Sequence, residues 1–192
     1  MNKIITIVGS RETPTNYLQE IQSLAKLARD RNWIIRSGKA PGADTYAQLG
    51  GQSSSNPTPM EIYIPWKGFG SDIHYNPLAS ELSDNYDILV NNPDITSKAF
   101  VIARGIHDNF DSLSQGSKGL HIRNVYQVFG KELNTPSNLV LCYAKVIGNN
   151  PQGRTATAIK LAKLFNIPVI NMFFNNWKTQ LHNTLTHLNK EN

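Results

Sequence analysis

Ser37-Gly38-Lys39-Ala40-Pro41-Gly42-Ala43-Asp44 is the stretch on which the reading of this chain turns. It follows a short apolar run, Trp33-Ile34-Ile35, and leads into helix-compatible sequence, Thr45-Tyr46-Ala47-Gln48-Leu49. A strand, a Gly-rich turn and a helix start together make an anion site. Glycine lets the backbone approach a ligand, and unpaired N–H groups at a helix N-terminus point toward negative charge. Taken alone, the stretch would serve equally as a tight strand-to-helix turn, with Gly42 in an unusual dihedral region and Asp44 as an N-cap.

Working outward, the pattern repeats. Ile4 to Val8 is β-branched and nearly continuous, which predicts a strand buried on both faces, as in a parallel sheet. Gly9-Ser10-Arg11 close it. Thr13 then reads as an N-cap and Pro14 as the first helical residue, before apolar positions at helical spacing from Tyr17 to Ala28. Trp33 to Arg36 is a second strand, and Ala43 to about Gly50 a second helix. Glu61 to Ile64 is a third strand, left by an irregular loop that carries Trp66 and Phe69. Pro77 to Asp84 reads as a short helix.

Residues 85–131 are less regular. Ile95 to Ile106 and Leu120 to Phe129 look helical, with a Ser/Gly loop from Ser112 to Gly119. This segment exceeds a standard crossover, so it reads as a helical insertion that caps the sheet or joins subunits. Leu139 to Ala144 is a fourth strand. The loop Gly148 to Thr155 precedes a helix from Ala156 to Phe165. Ile167 to Met172 is a fifth strand, and Trp177 to Leu188 a last helix. The alternation argues for one α/β domain over residues 1–192: a doubly wound, mostly parallel five-stranded sheet with helices on both faces. Ligands of such sheets sit beyond the carboxyl ends of the strands.

The composition sets limits. The chain has 192 residues, 40% hydrophobic and 17% charged, enough for a substantial core. Its formal charge of +5 permits an anionic partner without requiring nucleic acid. The one cysteine, Cys142, lies in an apolar run and reads as a small buried hydrophobe. With no disulfide framework, no signal-type N-terminal run and no apolar stretch near ~20 residues, the expectation is a cytoplasmic protein without a membrane partner. The five histidines lack metal-ligand spacing, so no metal is expected.

If the strands are parallel, three Gly-containing loops meet on one edge: Gly9-Ser10-Arg11, Ser37 to Asp44, and Gly153-Arg154-Thr155. That edge gathers Arg11, Lys39, Arg154, Ser10 and Thr155. Arginine offers bidentate contacts to phosphate, lysine a point charge, and the hydroxyls further hydrogen bonds. A phosphate-bearing ligand follows. The pattern is neither a Walker A loop nor a GxGxxG fingerprint, which argues against kinase, ATPase and ordinary dehydrogenase chemistry. Trp66 and Phe69 are candidates for base stacking. The same rings would serve equally to cover the sheet edge.

Val8-Gly9-Ser10-Arg11, Arg36-Ser37-Gly38-Lys39-Ala40-Pro41-Gly42-Ala43-Asp44, and Gly153-Arg154-Thr155 with Ile167-Pro168-Val169 resemble the SLOG superfamily. That group includes DNA-processing protein A (DprA), the YspA-like proteins and the Lonely Guy phosphoribohydrolases. The resemblance is strongest to the single-domain DprA/YspA-like proteins often carried by bacteriophages, which would place a phage-encoded copy in the host cytoplasm. His121 to Gly130 strengthens it, because an Arg-Asn pair opens the corresponding helix there. The resemblance spans about residues 4–172. It implies a Rossmann-like fold and a nucleotide or nucleotide-derived ligand, with no cofactor required. It adds Arg123 and Asn124 to the site, and it implies a homo-oligomer, because full-length relatives dimerise.

Two departures bear on activity. Lys39 and Pro41 replace the glycine and arginine usual in the family's second loop. Ala158 stands where the hydrolases of the superfamily carry a glutamate, so the acid that would stabilise an oxocarbenium-like transition state is missing there. Binding of a nucleotide or NAD-derived signal, for sensing or sequestration, is therefore expected over turnover. Two alternatives stay open: a DprA-like single-stranded DNA-binding recombination mediator, and a nucleoside-monophosphate phosphoribohydrolase. Against the DNA reading, the aromatics do not interleave with basic residues along any stretch of the sequence.

Overall fold

A computed structural model describes residues 2–190. In chain order its elements are β1 (Ile4–Gly9), α1 (Thr15–Asp30), β2 (Ile34–Ser37), α2 (Ala43–Gln52), β3 (Met60–Ile64), β4 (Asp87–Leu89), α3 (Pro93–Ile106), α4 (Gln115–Phe129), β5 (Leu139–Tyr143), β6 (Val146–Ile147), β7 (Asn150–Pro151), α5 (Thr155–Leu164), β8 (Val169–Asn171) and α6 (Trp177–Lys190).

The central sheet is six-stranded in the order β4-β3-β2-β1-β5-β8, and each neighbouring pair is parallel. Strand alternation builds two cores. Ile5 and Ile7 of β1, with Leu139, Leu141 and Tyr143 of β5, pack against residues of α1, α2 and α6 such as Ile21, Ala47 and Leu181. Val8, Val140 and Cys142 pack on the opposite face against α3, α4 and α5, including Ala103, Val128 and Leu161. Parallel strands covered on both sides need apolar residues at every position, which explains the near-continuous runs in β1 and β5. Cys142 is a buried free thiol, pushed up to about 12 by burial. Thr6, the polar exception in β1, donates to the Gln127 carbonyl at 2.5 Å and lies 2.7 Å from the Ser137 hydroxyl. A buried hydroxyl is tolerated because it is bonded.

Several expectations are revised. The sheet has six strands, not five: β4 is a three-residue edge strand that begins on a charged residue, too short and too polar for periodicity to register. Residues 85–131 supply this strand and two helices of one covering layer. The expected Ser/Gly loop before Leu120 is the first turn of α4, capped by the Ser114 hydroxyl, which accepts from the Ser117 amide at 3.3 Å. Pro77 to Asp84 forms no α-helix; 3₁₀ turns occupy Ala79–Glu81 and Asp84–Tyr86. Thr13 does not cap α1. Its hydroxyl donates instead to the Ser10 carbonyl at 2.7 Å, tightening the turn after β1. Among the described residues, no helix is long and apolar enough to cross a membrane.

Candidate functional site

The chain leaves β1 toward β2 on one side and β5 toward β8 on the other, so the strand order reverses between β1 and β5. A crevice opens there at the carboxyl ends, where doubly wound sheets place ligands. It forms a cleft of about 370 Å³. The loop from Gly9 to Glu12, Ala40 and Asp44 of the next turn, Leu120, Arg123 and Asn124 of α4, and Gly153, Arg154 and Thr155 at the start of α5 line it. Phe69 and Tyr75 close it from the loop after β3.

The turn after β2 is shaped by close approach. Gly42 has φ +86°, and a Cβ there would lie 2.8 Å from the Ser10 carbonyl oxygen. Only glycine holds that dihedral without strain while the two loops touch. Gly38 is where a long side chain crosses: its carbonyl accepts from Arg123 Nη1 at 2.7 Å, and a Cβ would stand 2.6 Å from Arg123 Cζ.

Arg123 and Asp44 form the floor. Both are buried, and Arg123 Nη2 lies 3.4 Å from Asp44 Oδ2. Burial pushes the Asp44 carboxyl above the usual carboxylate range, against the Arg123 charge and the amides of Ala40 and Gly9. Asn124 ties α4 to the start of α5 by donating to the Arg154 carbonyl at 2.8 Å. One turn earlier, buried His121 shares a 2.7 Å hydrogen bond with the Thr157 hydroxyl. Burial lowers its pKa to about 4, helped by His107, Arg154 and Arg123.

The rim differs. Arg11 and Arg154 are exposed. Among the described residues, neither guanidinium makes an ion pair with a carboxylate. Arg11 lies over the Tyr75 ring, 5.6 Å from its centroid. The acids of the cleft are committed elsewhere: Asp44 faces Arg123, and Glu12 lies 3.5 Å from Lys145. α5 begins beside Arg154 with no side-chain cap, so its N-terminal dipole faces the same space. The rim thus carries two uncompensated positive charges.

Of the residues expected at the site, Gly9, Ser10, Arg11, Asp44, Arg123, Asn124, Gly153, Arg154 and Thr155 line this cleft. Five do not. Gly38 and Gly42 shape the backbone, as described above. Ser37 is buried and donates to the Ile7 carbonyl at 2.7 Å. Ala43 is the first residue of α2 and is buried in the core. Lys39, the expected phosphate cation, is corrected most strongly. At φ +61° its side chain turns inward, is 1% exposed, and is held by Asp84 and by Asp87, the latter at 2.6 Å. Its one charge is shared between two carboxylates, and it is no part of the cleft lining.

The two aromatic candidates separate. Phe69 is buried, with the Arg123 guanidinium 5.4 Å over its ring, and acts as wall. Trp66 is 44% exposed and lines a more open extension of the cleft. Tyr75 escaped the sequence reading. The available signal was its place in the same irregular loop as Trp66 and Phe69. Ala158 is on α5 and is buried in the core. Glu61 lies on β3, bonded to Arg36 and Tyr63, each at 2.6 Å. Among the described residues, no group of three His, Cys, Asp or Glu side chains is placed to hold a metal ion.

No protein-family model and no curated protein sequence matches the chain. Solved structures do. The Moco carrier protein of Chlamydomonas rheinhardtii aligns over 96% of this chain and 84% of its own, with a TM-score of 0.51 and 17% identity. DNA processing protein A from Helicobacter pylori, whose structure addresses a single-stranded DNA binding mode, aligns over 95% of this chain and 81% of its own, with a TM-score of 0.40 and 15% identity. At these identities the first likeness is one of fold.

Proposed function

We propose that the cleft at the carboxyl ends of β1 and β5 binds a phosphate-bearing, nucleotide-type ligand without turning it over, as a sensor or sequestering protein. One observation carries this reading: Arg11 and Arg154 face one cleft with no acid paired to either among the described residues, beside the uncapped start of α5. Two guanidinium groups left uncompensated next to a helix N-terminus are stabilised by an anion, and phosphate matches their fork geometry. Supporting binding over hydrolysis, position 158 is an alanine in the core, and Asp44 is turned against Arg123.

The test is calorimetry with AMP, ADP-ribose and inorganic pyrophosphate, run beside chromatography for released base. Binding of at least one probe without base release supports the proposal. Free base that disappears in an Arg123→Lys variant would establish a phosphoribohydrolase instead.

A second reading, single-stranded DNA binding, is favoured by one spatial relationship. Arg11 over Tyr75, Tyr75 6.1 Å from Phe69, and Arg123 over Phe69 interleave aromatics with cations in three dimensions, although not along the sequence. Such alternation suits a nucleic-acid strand. Oligonucleotide affinity that falls steeply with salt, in the absence of small-nucleotide binding, would select this reading.

A further inference from the structure

The cleft has a second compartment, of about 610 Å³ and more open than the first. Arg11, Phe69, Tyr75, Leu120 and Arg154 line both, so the two spaces share the arginine rim as a common wall. The first compartment alone sits near the small end of ligand sites, which run from about 300 to 1,000 Å³. Trp66 lines the second compartment and not the first.

The setting of Trp66 is specific. Its six-membered ring rests against the first turns of α4 at two glycines. A Cβ on Gly119 would lie 3.6 Å from Trp66 Cζ3, and one on Gly116 3.9 Å from Cη2. On another side Phe69 meets it edge-on, with centroids 5.1 Å apart and planes at 87°. Supported on these two sides, Trp66 is still 44% exposed as a residue. An aromatic ring held by neighbours yet open to a cation-lined cleft is built to stack on another planar ring.

From these placements we infer that the ligand carries two rings joined through phosphate, that is, a dinucleotide. The bridging phosphate lies at Arg11 and Arg154, one nucleoside enters the space above Asp44, and the base of the other stacks on Trp66. This inference rests on the phosphate-binding reading above and adds the size of the ligand to it. The same chemistry reaches the site from a free pyrophosphate-linked dinucleotide or from one step of a single strand. One acid, Asp72, also borders the second compartment; its Oδ1 accepts from the His74 amide at 2.9 Å.

The experiment compares NAD, the deoxydinucleotide pdApdA and AMP by calorimetry on the wild-type protein, Trp66→Ala and Trp66→Phe. NAD or pdApdA should bind wild type at least ten-fold more tightly than AMP. Trp66→Ala should remove that advantage and leave AMP unchanged, and Trp66→Phe should restore most of it. Trp33 and Trp177 are buried, so quenching of the exposed indole by the ligand gives a second readout that Trp66→Ala abolishes. NAD alone showing the advantage identifies a free dinucleotide; pdApdA alone identifies a strand. Equal binding of AMP and both two-ring probes, or equal losses for all three in Trp66→Ala, overturns the inference while the phosphate site stands. Binding of none, or binding unaffected by Arg11→Ala and Arg154→Ala, overturns both.

Discussion

Arg123 Nη2 lies 3.4 Å from the carboxylate of Asp44, and both side chains are buried where α4 crosses the turn after β2. Desolvating two charges is costly, and the pair persists because Gly38 supplies Arg123 a further acceptor at 2.7 Å. Removing one partner strands the other. Asp44→Ala should therefore cost about 3–5 kcal/mol of stability, read as a lower urea midpoint at unchanged slope. Asp44→Asn should cost less. A neutral Asp44→Ala would mean that the floor of the cleft does not depend on this pair.

The rim should behave in the opposite way. Arg11 and Arg154 are exposed and make no carboxylate contact among the described residues. Arg11→Ala and Arg154→Ala should each change stability by no more than about 0.5 kcal/mol. Each should weaken a phosphate-bearing probe by about ten-fold or more, the loss expected of a charge-assisted hydrogen bond. Thermal melts and calorimetry on the same samples separate the two effects.

Lys39 divides its two acids unequally. Asp87 is 14% exposed and Asp84 76%. The Lys39–Asp87 pair joins the turn after β2 to the edge strand β4, whereas Asp84 meets it from solvent. Asp84→Asn should cost less than about 1 kcal/mol, because water screens the contact. Asp87→Asn should cost clearly more, and Lys39→Met most of all, since it leaves Asp87 buried without its cation. Denaturant titration of the three variants gives the order directly.

His121 gives the protein a pH dependence of known sign. Its folded pKa is lowered to about 4 by burial, below the ordinary histidine value of 6.5. The unfolded chain therefore takes up the proton first as pH falls. The contribution is complete above about pH 6.5 and is lost as pH drops toward 4, with a limiting slope of about 1.4 kcal/mol per pH unit. Urea midpoints across this window should fall for the wild type and fall less steeply for His121→Gln. Equal slopes would mean that the imidazole is not held neutral.

The strands and their parallel arrangement were legible because a sheet covered on both faces writes long apolar runs, as in Ile4–Gly9 and Leu139–Tyr143. β4 was not, since three residues beginning with Asp87 leave no periodicity. The start of α4 was hidden by Gly116 and Gly119, which signal loops in sequence but here make room for Pro65 and Trp66. Strand-end arginines could be placed at one edge from topology alone. The direction of Lys39 could not: a positive φ at a non-glycine residue turns it into the protein, and no sequence pattern announces that. Arg123 and Asn124 came only from resemblance, because a helix interior does not show which of its polar residues faces a cleft.

Cys142 has a consequence apart from any ligand. It is the chain's one thiol, it pairs with both β1 and β8 from the interior of the sheet, and burial suppresses its thiolate. Its side chain packs beneath α3, α4 and α5, so a reagent that modifies thiols reaches it only when that layer opens from the sheet. The rate of labelling in native buffer is thus a clock for opening of this core, with no introduced probe and no second cysteine to confuse the signal. Any molecule that settles in the cleft between β1 and β5 must slow that clock in proportion to its hold on the folded state.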